Sequence, residues 1–195
     1  GLEMLDYALH SARSSDIRVI LGLTNNWRDF GGMDQYLTWY GLKKHHEFYT
    51  DERVRAAYKN WAAHLILRKN SIDGMLYRDD PIIFAWELAN EPRTRNYRNY
   101  DSEDGWDLTT IPNWSDEMSR HIHLLDPNHM VAVGDEGQFA QGNKIEFYLG
   151  KDGVDHKALL AIRGVDFGTF HLYPETWNTE IRWSYDWIKD HIAAA

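Results

Sequence analysis

Residues 82–93 read IIFAWELANEPR. Ile82, Ile83, Phe84, Ala85 and Trp86 are apolar or aromatic, as in a strand buried on both faces of a parallel sheet. Glu87, Asn90, Glu91 and Arg93 then arrive with Pro92 among them. This transition constrains the fold more than any other feature. The strand is buried along its length, yet two carboxylates, an amide and a guanidinium leave its C-terminal end.

The rest of the chain alternates in the same way. A helical pattern over 2–14 places Leu2, Leu5, Leu9 and Ala12 near one face and leads to a strand at 17–23, IRVILGL. A long loop follows. Asp51 then reads as the N-cap of a helix over 52–69. After the strand at 82–88 come a polar loop at 94–110 and a helix over 113–125, capped by Asn113 or Ser115. The pattern continues with a strand at 130–134, a short helix near 155–161, a strand at 165–171 and a last helix over 177–193. That last helix is expected to turn Trp183, Trp187 and Ile188 inward. Such alternation argues for a parallel sheet covered by helices, within a single domain over 1–195. No Gly-rich phosphate fingerprint follows any strand, which argues against a dinucleotide-binding sheet. The alternative is a (β/α)8 TIM barrel, in which function sits at the C-terminal ends of the strands.

Those four ends carry TNNW (24–27), NEPR (90–93), DEGQF (135–139) and HLYPETW (171–177). Each is a cluster of hydrogen-bonding and aromatic groups. The helix-to-strand connections, at SSD, YRDDP and DPNH, read as ordinary turns.

Composition narrows the partners. A formal net charge of -9 argues against nucleic acid and anionic membranes. No apolar run approaches the roughly 20 residues of a membrane span. With no cysteine, disulfides and thiolate metal sites are excluded. The His residues show no HExxH spacing, and no GxSxG elbow occurs, so neither a metal centre nor a serine hydrolase is expected. Nine Trp and eleven Tyr are many for 195 residues. Most Trp belong in the core, but Trp27, Trp39, Trp106 and Trp177 stand beside polar residues in apparent loops. Their flat faces suit the apolar C–H faces of sugars or planar ligands. The N-terminus opens directly in a helical pattern, without a signal peptide, as if part-way through a repeating arrangement.

Glu91 follows a strand, and Pro92 fixes a sharp exit. A Glu in a partly dry aromatic site has a raised pKa and can donate a proton; the alternative is a cap or an ion pair with Arg93. Asn90 can bind a substrate hydroxyl. Glu87, deeper in the strand, suits an internal hydrogen-bonded role. Glu136, exposed at the next strand end, could bind a hydroxyl or act as a second carboxylate. His171 and Tyr173 share a strand face and could position a reacting group, or His171 could be satisfied in the core.

With WELANEPR (86–93), the segments NNWRDFGGMDQY (25–36), GDEGQF (134–139), DFGTFHLYPETW (166–177) and WIKDH (187–191) resemble the clan A glycoside hydrolases. More closely, they are similar to the fungal and plant-type endo-β-1,4-mannanases of glycoside hydrolase family 5. The resemblance implies a (β/α)8 barrel of which this chain holds about strands three to six. It also implies retaining hydrolysis of mannan, glucomannan or galactomannan, with no cofactor and an extracellular setting. Glu91 would be the acid/base and Asn90 the group that binds the 2-hydroxyl at the cleaved bond. His171 and Tyr173 would line the cleavage site, Arg93 and Glu136 would bind the leaving-group sugar, and Trp27 would form an aromatic wall. The family's nucleophile ends the seventh strand, which lies outside this chain; Glu136 is the only strand-end candidate to replace it. Open sheet edges would then pair with another copy or with complementing barrel segments. A β-glucan-cleaving barrel and a non-catalytic sugar-binding fragment are the alternatives.

Overall fold

The structure, a computed structural model, describes residues 1–95, 105–142 and 145–195. Helix α1 (Leu2–Ser14) leads to strand β1 (Val19–Gly22), then helices α2 (Gly32–Tyr40), α3 (Glu47–Thr50) and α4 (Glu52–Ile66). Strand β2 (Ile83–Glu87), helix α5 (Thr110–Leu125) and strand β3 (Met130–Ala132) follow, then helices α6 (His156–Leu160) and α7 (Trp183–Ala194). The strands form a parallel sheet in the order β1-β2-β3, so each pairs with its sequence neighbour through a helical crossover. The register passes from Gly22 to Glu87 to Ala132.

The helices cover one face of this sheet. Leu9 on α1, Val54, Tyr58 and Ile66 on α4, and Ile111, Met118 and Ile122 on α5 pack with Trp86 and Val131 in one core. Leu2, Leu5 and Ala12 flank it, so α1 presents the face its spacing predicts. Asp51 caps α4 by accepting the N–H groups of Arg53 and Val54, as expected. Helix α5 begins earlier than expected, with Pro112 in its first turn, where its missing N–H costs nothing. Neither Asn113 nor Ser115 caps it; Asp107 accepts from the Thr109 N–H and hydroxyl at that end.

Three expectations are corrected. The stretch after β1 is not one long loop: Gly31 and Gly41, both at positive φ, bracket α2, and the exposed Trp39 lies on that helix. Residues 165–171 run alongside β3 but form no ladder. Asp166 donates its N–H to the Val131 carbonyl and accepts the Val131 N–H on its own carboxylate (2.7 Å). Thr169 caps the Asp135 carbonyl with its hydroxyl, so side chains hold contacts that a ladder would give to backbone. Finally, α7 starts at Trp183 rather than 177; Trp187 is buried as expected, but Ile188 is exposed and His191 faces inward in its place. Of the polar loop expected at 94–110, residues 96–104 lie outside the described residues.

A buried acid fastens the first helix to the turn before β2. Asp6 accepts from Arg68 Nε (2.8 Å), the Tyr77 hydroxyl (2.6 Å) and the Ser71 hydroxyl (2.8 Å). The Arg68 bond, against the opposing effect of burial and with Tyr77 and Ser71 assisting, holds the Asp6 carboxyl far below the usual carboxylate range. A depressed folded pKa contributes stability above the unfolded value near pH 4, lost as pH falls through the folded one. Asp6→Asn should therefore cost about 3 kcal/mol at pH 7. Urea denaturation from pH 7 to pH 2 should show the variant losing less stability on acidification than the parent chain.

Candidate active site

The C-terminal ends of the strands converge on a cleft of about 700 Å³. Trp27, Asn90, Glu91, Arg93, Glu136, Tyr173 and Trp177 line it, together with Glu146, Phe147, Thr176 and Asn178. The sequence-derived residues are thus brought together from segments far apart in the chain.

Glu91 is placed by backbone constraint. The chain leaves β2 through Leu88 and Ala89, whose N–H groups bond the Ala132 and Val133 carbonyls. Glu91 then turns to φ +53°, a left-handed conformation that a side chain adopts only when its surroundings hold it there. Its N–H donates to the Gly134 carbonyl at 2.9 Å. Gly134 itself has φ +87°, and a Cβ there would lie 2.2 Å from the Ala89 carbonyl oxygen, so only glycine fits beside this turn.

Both carboxylate oxygens of Glu91 are held. Oε1 lies 2.6 Å from His171 Nδ1, and Oε2 accepts from Trp27 Nε1 at 2.5 Å. Burial pushes this carboxyl up, but the bonds from His171 and Trp27, aided by the charges of His171 and Arg93, outweigh it and leave the pKa below the ordinary value. This reverses the expected raised pKa, because two donors face the carboxylate rather than a dry wall. His171 moves the opposite way, raised chiefly by its bond to Glu91. The two groups titrate as a pair that shares a proton, and the proton rests on the imidazole.

Arg93 does not pair directly with Glu91. Its guanidinium forks onto Glu136 (2.6 and 2.8 Å) and reaches Asp152 at 2.9 Å, all three side chains being buried. Glu136 is therefore not the exposed group expected at that strand end. The Trp27 ring lies 5.4 Å from the Arg93 guanidinium carbon, so this indole is fixed by its face as well as by its N–H. Asn90 donates to Asn25 Oδ1 at 3.1 Å, which aligns its amide at the cleft edge. Tyr173 is half-exposed and stands edge-on to both His171 and Trp177, at 6.2 and 6.0 Å between centroids. Trp177 packs on Phe147 at 4.6 Å.

Sequence reasoning missed Phe147 and its neighbours Glu146 and Asn178. Phe147 belongs to no strand end; it reaches the cleft because its carbonyl accepts the Phe139 N–H at 2.8 Å. The one signal available was an aromatic pair in an otherwise polar stretch, IEFY at 145–148. Glu87 is also corrected: its carboxylate makes no hydrogen bond to any described residue.

Two substitutions test this geometry. Arg93→Met leaves Glu136 buried without its cation and Asp152 with Arg95 alone, and should destabilise by about 3 to 5 kcal/mol in urea. Glu91→Gln should lower the His171 titration midpoint, read from its ring-proton NMR shifts, because the bond that raises it loses its charge.

The chain resembles known proteins along its full length. It is 40% identical over 196 aligned positions to a probable mannan endo-1,4-beta-mannosidase C of Aspergillus terreus, covering 99% of this chain and 46% of that protein. It is 37% identical to mannan endo-1,4-beta-mannosidase A of Aspergillus aculeatus, covering 100% of this chain and 48% of the relative. Among solved structures, the endo-1,4-beta-mannanase of Rhizomucor miehei superposes with a TM-score of 0.95 at 45% identity, covering 100% of this chain and 55% of that one. A hyperthermostable endo-1,4-beta-D-mannanase of Thermotoga petrophila gives 0.89 at 44% identity, with 99% and 55% covered. The chain spans about half the length of the curated relatives it matches. Its parallel strands and crossovers are part of a (β/α)8 barrel. Residues 2–186 match the family described as GH family 5 beta-mannosidase-like, and the chain belongs to that family.

Proposed function

We propose that the chain is a partial catalytic domain of a retaining endo-β-1,4-mannanase and carries its acid/base, Glu91. One observation carries the reading: a carboxylate held at both oxygens, sharing a proton with His171, at the strand end of an aromatic-walled cleft. A carboxyl that exchanges a proton with a neighbouring imidazole can give it to a departing glycosidic oxygen and take one back from water.

Retention needs a second carboxylate about 5 Å away. Glu136 is a poor candidate, because both its oxygens are bound by Arg93. The nucleophile is therefore assigned to a segment outside this chain. Its negative charge would raise Glu91 by like-charge repulsion and draw the shared proton from His171 onto the carboxyl that needs it. Asn90 would bind the 2-hydroxyl, the position at which mannose and glucose differ. Tyr173 and His171 would border the cleaved bond. Arg93 and Glu136 would meet the leaving-group sugar, with Trp27 and Trp177 as stacking walls.

The substrates would be β-mannans and mannooligosaccharides, as the names of the relatives support. Calorimetry with mannohexaose and cellohexaose, beside a reducing-sugar assay on galactomannan, tests this. The 195-residue chain should bind mannohexaose without releasing reducing sugar. Tyr173→Ala should weaken that binding by about three- to tenfold, the usual worth of one exposed aromatic contact. Preference for cellohexaose would point to a β-glucan substrate. Cleavage abolished by Glu91→Gln would overturn the external nucleophile, and no binding of either sugar would overturn the reading as a whole.

A further inference from the structure

Glu87 lies four residues before Glu91, at the last position of β2. Its register partner on β1 is Gly22, and a Cβ on Gly22 would stand 3.5 Å from Glu87 Oε1. On the other side, a Cβ on Gly134 would lie 2.6 Å from Glu87 Cγ and Cδ, a separation that no real side chain tolerates. The Glu87 side chain thus occupies space that only a glycine at 134 leaves open, while Gly22 is an ordinary contact. Gly134 is also the residue whose carbonyl holds the Glu91 N–H. One glycine therefore fixes the depth of both carboxylates.

The Glu87 carboxylate is half-buried and accepts no hydrogen bond from the described residues, so no donor neutralises its charge beside Gly134. We propose that Glu87 is a positioning residue for the Glu91–His171 pair: its negative charge, set against the Gly134 that seats Glu91, holds the shared proton there. This deepens the reading of Glu91 as proton donor and rests on it.

The surroundings fit. Burial, the charge of Asp135 and that of Glu91 raise the Glu87 carboxyl, while His171 opposes them. His171 feels Glu136 as well as Glu87 and Glu91. The Arg93 charge lowers Glu91, and the Tyr58 hydroxyl of α4, which donates to the Leu88 carbonyl at 2.8 Å, feels the charge of Glu87. In sign, a negative Glu87 stabilises imidazolium at His171 and disfavours carboxylate at Glu91. Both effects increase the proton affinity of the pair, and removing the charge lowers it.

The test needs no turnover. In the 195-residue chain, His171 ring protons and Glu91 side-chain carboxyl carbons are titrated by NMR for the parent, Glu87→Gln and Glu87→Asp. Glu87→Gln keeps the shape and should lower both midpoints by about half a unit to one unit. Glu87→Asp keeps the charge and should restore most of that shift. Unchanged midpoints in Glu87→Gln, or equal shifts in both variants, overturn the proposal. Should Glu87→Gln not fold, the parent decides: titration of Glu87 with no matching inflection on His171 overturns it. Because these readouts are independent of sugar, failure to bind mannohexaose would count against the proposed function alone.

Discussion

The strand-end architecture depends on the buried guanidinium of Arg93. It draws Glu136 from the exit of β3 and Asp152 from the following loop to one point beside β2. Asp152 in turn accepts from Arg95 and Gln138, so the cation is enclosed by groups that are themselves satisfied. Its face meets the Trp27 ring, the Trp27 N–H meets Glu91, and Glu91 meets His171. The His171 carbonyl accepts from Trp187 on α7. A single ion cluster thus fixes a relay of contacts from the first strand end to the last helix. Each member lacks the freedom to move without exposing a buried charge.

The relay also makes the protonation of Glu91 a property of the pair. A carboxylate with two donors is a weak acid-donor by itself, and an imidazole bonded to a carboxylate retains its proton. Together they store one proton at the cleft and leave its final position to whatever charge approaches. Reaction chemistry that needs an acid in one step and a base in the next is served by such a poised pair better than by a carboxyl fixed in either state.

Much of this was legible in the sequence, and the exceptions have physical reasons. Strands β1, β2 and β3 were readable from apolar runs, and the site residues from the polar clusters that follow them. Glu91, Asn90, Arg93, Glu136, His171, Tyr173, Trp27 and Trp177 all reach the same cleft or its hydrogen-bond network. What failed was whatever depends on partners distant in sequence. Residue types do not reveal that Trp27 and His171 both donate to Glu91, so the direction of its pKa was misjudged. Nor do they reveal that Arg93 encloses Glu136, or that Asp166 and Thr169 replace a ladder with side chains. Helix α2 was hidden because its boundaries are two glycines rather than a capping side chain.

The side-chain substitution along residues 165–171 has a further consequence. Val165 packs against the main core and Phe167 against Phe84 of β2, while Leu172, Trp177 and Trp183 join a second cluster of Phe139, Phe147, Tyr148 and Trp187. Two polar side chains, Asp166 and Thr169, therefore stand in for a ladder along the stretch that carries His171. With the His171 N–H on the Glu136 carbonyl, they seat the imidazole beside Glu91. The aim of that ring is set by side-chain chemistry rather than by strand geometry, so sequence changes at 166 and 169 act on the cleft from outside it.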